Sequence, residues 1–237
     1  MLAKTPLKFQ SIFLSKEKGH LNTSISIGGH QIKSKNSVEL LGITIDDKLK
    51  FDGHVSQLCK SAANQCYSLY RFQKYMSPFA RKIAANSYIY SIFSYCPLVW
   101  HFCPGSSTSK IEKIGKKAHK FLDSESDFTP FKIKRLRLIA TEIFKTLNNI
   151  NPPYMKEIFK KKSNRSSLRL GNNLQCTGKW YTRYAKNSLS YLGPILWNFL
   201  PPEVKSIKKL PEFKDFIKSW GIPGCPYYEK FVNYINS

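Results

Sequence analysis

A run of strand-forming residues passes directly into a long amphipathic helix early in this chain, and that junction constrains the fold more than any other feature. Val38–Ile45 is rich in β-branched side chains and predicts a strand. Asp46, Asp47 and Asp52 follow it, and they indicate a turn and a helix cap. Over Phe51–Tyr75, apolar residues recur every three or four positions, which is typical of a helix with one buried face. The junction therefore predicts strands before it and helices after it.

The segment before the junction contains short strand patterns. Lys8–Leu14 and Ser24–Ile27 are predicted strands, and Gly28 with Gly29 can turn the second one into a partner at Gln31–Lys33. Together with the strand at the junction, they most simply form a small antiparallel sheet.

The segment after the junction predicts a series of helices. The buried stripe of the first comprises Phe51, Val55, Leu58, Ala62, Cys66, Leu69 and Phe72. Ser77 and Pro78 begin the second, because serine caps a helix and proline is favoured at its first position. Tyr95–Trp100 then breaks or kinks it. The remaining predicted helices are Lys110–Leu122, Phe131–Leu147, Tyr154–Lys161 and Leu210–Trp220. The predicted fold class is α+β, mainly α, with a small N-terminal antiparallel sheet, a helical bundle and a C-terminal region of helices and loops.

The chain is strongly basic. Its 38 lysines and arginines against 15 acids give a formal net charge of +23. Nineteen of these cations lie between Lys110 and Lys186, where six acids occur. Such an excess favours a polyanionic partner, and we expect nucleic acid rather than a membrane, because no apolar run approaches the roughly 20 residues that span a bilayer. The alternatives are a generally basic, solvated surface and a piece of a larger protein whose other part is more acidic.

Three groups of residues are candidate nucleic-acid contacts. The first lies on the outer face of the predicted helix Lys110–Leu122 and consists of Lys113, Lys116, Lys117 and Lys120. The second is the most basic stretch, with Lys160, Lys161, Lys162, Arg165 and Arg169. The third, within Lys179–Lys186, interleaves aromatic residues and cations as single-strand binders do, and contributes Trp180 and Arg183. The alternatives are a solvated helix face for the first group and a packed strand with a charged edge for the third.

The cysteines point to reduced thiols. Six are scattered over 237 residues, which does not form a disulfide framework. Cys96, His101 and Cys103 form a loose group without a second pair of matching spacing, so a zinc site there is the minor alternative. The sequence from Met1 to Phe13 has no apolar run followed by a cleavage site. We therefore expect no signal peptide and a location inside the cell, in the nucleus or the cytoplasm.

Several motifs follow one another in a characteristic order. The longest are Lys4–Ile12, Leu40–His54, Ser94–Trp100 and Ser188–Pro201, the last with a Trp-Asn-x-Leu-Pro ending. The shorter ones are Cys59–Ala62, Tyr70–Arg71 and Ile111–Ile114. In this order and spacing they resemble the C-terminal part of the reverse transcriptases of non-LTR retrotransposons of the jockey and chicken-repeat type. The resemblance covers about residues 4 to 235.

The resemblance implies a domain organisation. Residues 1–50 would be a remnant of the palm, 51–123 a thumb-like helical bundle and 131–237 a basic C-terminal extension. Leu41 and Gly42 match the family's primer grip, where the backbone at a strand bend holds the end of the primer. Glycine permits such a close approach, and the alternative for Gly42 is sheet packing alone.

The resemblance also bears on the chemistry. The family is an RNA-directed DNA polymerase whose Mg²⁺ ions are held by three aspartates, and these would lie before Met1. Asp46 and Asp47 are not a substitute, because no aromatic residue stands two positions before them and a helix follows them. We therefore expect no catalytic residue, no metal ligand and no cofactor in this chain.

The function that we expect is binding of a template–primer by its backbone. The chain would be the C-terminal fragment of a retrotransposon reverse transcriptase and would be inactive alone. Two alternatives stay open. One is a host-adopted module that keeps the helical bundle and binds protein, and the other is a polymerase piece that needs a separate palm and fingers polypeptide.

Overall fold

A computed structural model gives the fold. It describes residues 9–14, 23–122, 129–159, 173–175, 188–221 and 224–236. The chain divides into two compact units, residues 1–125 and 126–237. The described part is mainly helical and has its strands in the first unit, which confirms the α+β, mainly α class. The predicted division at residue 50 stays a prediction.

Three short strands form a mixed sheet in the first unit. They are β1 (Ser11–Ile12), β2 (Ser24–Ile27) and β3 (His30–Lys35), in the spatial order β1-β3-β2. β2 and β3 pair antiparallel across Gly28 and Gly29, whose φ angles of 58° and 81° suit a two-residue hairpin turn. The predicted hairpin is confirmed. β1 runs parallel to β3, so it does not extend the antiparallel pattern.

A second hairpin replaces the long strand predicted at Val38–Ile45. β4 (Ser37–Leu40) and β5 (Ile43–Asp46) pair antiparallel, with Leu40 opposite Ile43. The single-strand prediction was wrong, because Leu41 and Gly42 adopt φ angles of 49° and 77° and reverse the chain between the two halves. Strand propensity is the same for one long strand and for two short ones, and the lone glycine was the turn signal.

The carboxylate of Asp46 holds the loop that leads from β5 into the first helix. Its oxygens accept the backbone N–H groups of Lys48 (3.1 Å), Lys50 (3.0 Å) and Phe51 (2.5 Å). Two residues of this loop have positive φ, Leu49 at 52° and Phe51 at 57°. The interpretation of Asp46 as a turn residue is confirmed. The helix itself begins at Asp52 without a side-chain cap, so Asp46 acts on the loop and not as an N-cap.

Helices make up the rest of the first unit. They are α1 (Asp52–Phe72), α2 (Pro78–Ala84), α3 (Ser91–Ser94), α4 (Pro97–Trp100) and α5 (Gly105–Leu122), with a 3₁₀ turn at Gln73–Tyr75 and a π-helical segment at Ala85–Tyr90. The Ser77 hydroxyl accepts the Ala80 N–H (3.2 Å), which confirms the predicted cap. The break before α4 lies at Cys96, where φ is 43°, and Pro97 starts a new helix.

The core of the first unit contains most of the predicted stripe. Val55, Ala62 and Cys66 of α1 are buried, and the largest buried side chains of the other helices are Ile89, Phe93, Trp100, Ile111 and Phe121. Phe72 is 58% exposed, so its assignment to the buried face was wrong. α1 ends at this residue, and the chain turns away before a neighbour can cover the ring.

The second unit is built from helices around stacked aromatic rings. Its elements are α6 (Phe131–Leu147), a 3₁₀ helix (Pro153–Ile158), α7 (Leu189–Asn198), α8 (Pro202–Ser206), α9 (Leu210–Ser219) and α10 (Pro226–Asn236). The Phe213 ring stacks on Phe144 at 4.3 Å and lies 6.0 Å from Trp197. Burial of such rings, with their favourable contacts, supplies much of the stability of a unit this small.

The Trp-Asn-x-Leu-Pro motif is structural. Trp197 and Leu200 are both 2% exposed. The Asn198 side chain pairs with the backbone of Leu174 in both directions, accepting its N–H (2.8 Å) and donating to its carbonyl (3.0 Å). The Lys205 ammonium donates to the Asn198 carbonyl (2.9 Å), and burial lowers the pKa of Lys205. The motif therefore joins α7 to the chain at residue 174.

Replacing Asp46 with alanine is expected to destabilise the first unit by roughly 1 to 3 kcal/mol, because three backbone N–H groups lose a charged acceptor. Hydrogen exchange of the α1 amides would measure the change. Asp47→Ala is the matched control, since its carboxylate takes no part in these three bonds. Equal destabilisation by both variants would contradict the role of Asp46.

Candidate nucleic-acid interface

One side of α5 presents a row of lysines. Lys113, Lys116, Lys117 and Lys120 are exposed, and we call these four residues the α5 lysine row. The opposite face is buried through Ile111, Ile114, Ala118 and Phe121. The predicted outer face of this helix is thus confirmed. With a rise of about 1.5 Å per residue the row extends roughly 10 Å, a length that holds about three phosphates of one DNA strand.

The row is held in place by packing of α5 against α1. The two helices run parallel, since their starts contact each other and so do their ends. Near the start of both, the Ser107 hydroxyl donates to the Asp52 carboxylate (2.5 Å). Near their ends, Tyr70 Oη donates to the Lys117 carbonyl (2.8 Å) and Gln73 Nε2 to the Phe121 carbonyl (3.2 Å). The lysines therefore stand on a helix that is anchored at both ends.

The lysines of α5 influence the pKa values of two cysteine thiols on α1. Burial raises the pKa of Cys59 and of Cys66, and the ammonium groups of Lys110 and Lys117, respectively, partly offset that rise. α5 carries five lysines and one acid, Glu112. The positive potential of this side of the unit is therefore only slightly reduced by acids on the same helix.

The Leu41–Gly42 turn is the second predicted contact. Leu41 is 81% exposed, and its carbonyl accepts a hydrogen bond from Tyr95 Oη (2.6 Å). A Cβ at Gly42 would lie 3.9 Å from the Tyr95 ring, so the positive φ and not a lack of space calls for glycine. The turn conformation accounts for Gly42, and a primer-grip role stays a prediction. The sequence pattern of Tyr95–Trp100 predicted a break in the second helix and did not predict this support. Its place beside Pro97 gave no signal of it.

A buried histidine joins the turn's hairpin to α1. His54 is 3% exposed, and its Nδ1 accepts the Thr44 N–H (3.4 Å). Thr44 Oγ1 also donates to Gln57 Oε1 (3.2 Å). Burial lowers the pKa of His54, since a charge is costly in a buried site. His54 thus packs in the interior of the first unit and fixes β5 to the first turns of α1.

The structure brings only part of the predicted interface together. The four members of the α5 lysine row lie side by side, whereas the described hydrogen bonds connect the Leu41–Gly42 turn to Tyr95 and not to the row. The other candidates lie outside the described residues and stay predictions: Lys160, Lys161, Lys162, Arg165, Arg169, Trp180 and Arg183.

The described part of the chain contains neither a cluster of metal-binding side chains nor a membrane-spanning helix. No group of three or more histidine, cysteine or acidic side chains there could hold a metal ion. Of the loose group noted above, Cys96 is exposed, while Cys103 is buried with its sulfur 3.6 Å from Thr108 Oγ1. None of the described helices has the length and apolar character needed to cross a bilayer.

Comparison with known proteins gives no further guide to the interface. No family model, no curated protein and no solved structure matches this chain. The assignment of a function therefore rests on the geometry and charge described above.

Acid is expected to destabilise the first unit through His54. The unfolded chain takes up a proton at the ordinary histidine pKa of about 6.5, while the folded state, with its lowered pKa, resists protonation. Stability is therefore full above about pH 6.5 and falls as the pH drops toward the folded-state pKa. His54→Gln should flatten this dependence, as followed by hydrogen exchange of α1 between pH values of roughly 7.5 and 5. The exposed His30→Gln is the control and should leave it unchanged.

Proposed function

We propose that this chain binds the phosphate backbone of a nucleic-acid template–primer, with the α5 lysine row as a principal contact. The observation that carries the proposal is the row itself, four exposed lysines on one helix whose opposite face is buried. Lysine ammonium groups in such a row can each neutralise one phosphate and release its counterions. Backbone contacts of this kind position a protein without reading the base sequence.

The position of the acids supports binding by the first unit. Asp46 is engaged by three backbone N–H groups and Asp52 by the Ser107 hydroxyl, so both carboxylates are committed to the fold. Both carboxylates lie at the start of α1, whereas the α5 lysine row extends toward the end of α1, where Tyr70 contacts Lys117. The proposal accordingly concerns binding, and it assigns no chemical step to this chain.

The resemblance to reverse transcriptases of non-LTR retrotransposons supports a duplex as the ligand. In that family the thumb grips the template–primer, and α1 and α5 fall within residues 51–123, the range that the resemblance assigns to the thumb. The exposed Leu41–Gly42 turn would lie against the end of the primer. A protein that binds such a ligand would be located inside the cell, in the nucleus or the cytoplasm.

Alanine at Lys113, Lys116, Lys117 and Lys120 is expected to weaken binding to a blunt RNA–DNA hybrid and to lower its salt dependence. Each phosphate contact contributes about one unit to the slope of log affinity against log salt, so the slope should fall by roughly 3 to 4. Fluorescence anisotropy across a salt series measures both quantities. Alanine preserves the helix, because it has the highest helix propensity.

The control for this experiment removes the same number of charges from the second unit. Lys208, Lys209, Lys214 and Lys218 are exposed, and their alanine variants lower the net charge equally. A drop in affinity and slope for the α5 variant alone supports the proposal. The same change in both variants would assign binding to total charge, and no change in the α5 variant would contradict the role of the row.

Charge reversal of Lys160, Lys161, Lys162 and Arg165 to glutamate tests the predicted basic stretch. We expect a large loss of affinity for the same hybrid, because four attractive contacts become repulsive. Circular dichroism should report an unchanged fold. Unaltered affinity would remove this stretch from the interface and leave the other candidate contacts, of which the α5 lysine row is the principal one.

A further inference from the structure

A long part of the first unit contains no acidic residue. Between Asp52 and Glu112 the chain has neither aspartate nor glutamate. The same interval contains the cations Lys60, Arg71, Lys74, Arg81, Lys82 and Lys110. Any surface built from this interval is therefore positive or neutral, and a partner that binds it gains from negative charge.

Within this interval, large aromatic side chains are exposed where α1 turns into α2. Phe72 is 58% exposed, Tyr75 76% and Phe79 74%. Arg71, Lys74 and Lys82 stand among them and are exposed too. We call these six residues the α1–α2 corner. Three rings this exposed within eight consecutive residues cost free energy in water, since their apolar surface stays hydrated.

The backbone of the corner is fixed. Arg81 Nε donates to the carbonyls of Gln73 and Met76, both at 3.2 Å, and so ties the 3₁₀ turn to α2. The Ser77 hydroxyl caps α2. Lys74 Nζ lies 4.8 Å from the centre of the Tyr75 ring, which brings a cation and a ring together at the surface. The rings are therefore presented from a rigid support, which reduces the entropy cost of stacking a ligand on them.

The combination of exposed rings and cations without acids matches single-stranded nucleic acid. Unpaired bases stack on aromatic side chains whatever their sequence, and the phosphates between them pair with lysine and arginine. The core of a protein–protein interface is instead depleted in lysine. The chemistry of the corner thus favours a strand of unpaired nucleotides.

The corner lies near the α5 lysine row. Gln73, the residue after Phe72, donates to the Phe121 carbonyl, next to Lys120. Tyr70 donates to the Lys117 carbonyl within the row itself. Corner and row therefore meet at the C-terminal ends of α1 and α5.

We infer that the α1–α2 corner binds the unpaired strand that emerges from a duplex held on the α5 lysine row. The bases of this overhang stack on Tyr75 and Phe79, and its phosphates pair with Lys74 and Lys82. The inference rests on the proposed function for the position of the duplex. The contact with unpaired bases is a separate property of the corner and can be tested separately.

The test compares a blunt RNA–DNA hybrid with the same hybrid carrying a single-stranded overhang. The wild-type protein should bind the overhang form more tightly. Tyr75→Ala combined with Phe79→Ala should weaken that form roughly 25-fold, the product of about fivefold for each stacked base, and leave the blunt hybrid unchanged. Tyr88→Ala combined with Tyr154→Ala is the control, because it removes two exposed tyrosines outside the corner and should change neither affinity.

Replacing the two rings with tryptophan provides a fluorescence signal that responds to stacking and not to charge alone. Tyr75→Trp combined with Phe79→Trp should keep the affinity, and the added tryptophan fluorescence should be quenched by the overhang form but not by the blunt hybrid. Absence of this quenching would overturn stacking at the corner.

The remaining outcomes separate the two proposals. If the α5 lysine variant binds the blunt hybrid normally while the Tyr75 and Phe79 variant loses the overhang preference, duplex binding by the α5 lysine row is refuted. Overhang binding by the α1–α2 corner is then still supported. Equal weakening of both hybrids by the Tyr75 and Phe79 variant overturns the inference. It is also overturned if that variant leaves overhang binding intact and instead abolishes self-association in sedimentation, since the corner would then be a contact between copies of this chain.

Discussion

The parallel packing of α1 on α5 is the contact on which the surface of the first unit depends. The apolar faces of both helices are used in that contact, so the lysines of α5 can only point outward, where water stabilises them. Hydrogen bonds near both ends of the pair keep the helices in register. A concentrated positive charge opposes compact folding through self-repulsion. Here the buried apolar faces of α1 and α5 stabilise the helix on which the exposed lysines lie.

The acids of the first unit stabilise local structure. Asp46 binds backbone N–H groups in the loop before α1, and Asp52 binds Ser107 at the start of α5. Both act at the same end of the helix pair. The chain from there to Glu112 contains only neutral and basic residues, which include the exposed rings of the α1–α2 corner. The acids Asp46 and Asp52 thus secure one end of the helix pair, and the acid-free interval up to Glu112 contributes only neutral and positive surface.

Sequence reasoning succeeded where the pattern was long and periodic. The helix Phe131–Leu147 was predicted with its observed bounds, and the inner face of α5 followed from its apolar spacing. It failed at Val38–Ile45, because strand propensity does not report a chain reversal, and at Phe72, because periodicity does not report where a neighbouring helix ends. Of the candidate interface, the lysines of α5 were correctly placed on its exposed face, whereas the support of Leu41 by Tyr95 was missed.

The amino-acid sequence by itself determined the class of fold, the excess of positive charge and, apart from Phe72, the sides of α1 and α5 that face water. These follow from local geometry, since 3.6 residues per turn assign every side chain to a face. Only the tertiary structure decided that α1 and α5 run parallel, that Tyr95 reaches Leu41 and that the rings at the α1–α2 corner stay uncovered. Those features depend on the path of the connecting segments and on contacts between distant residues, which no local pattern encodes.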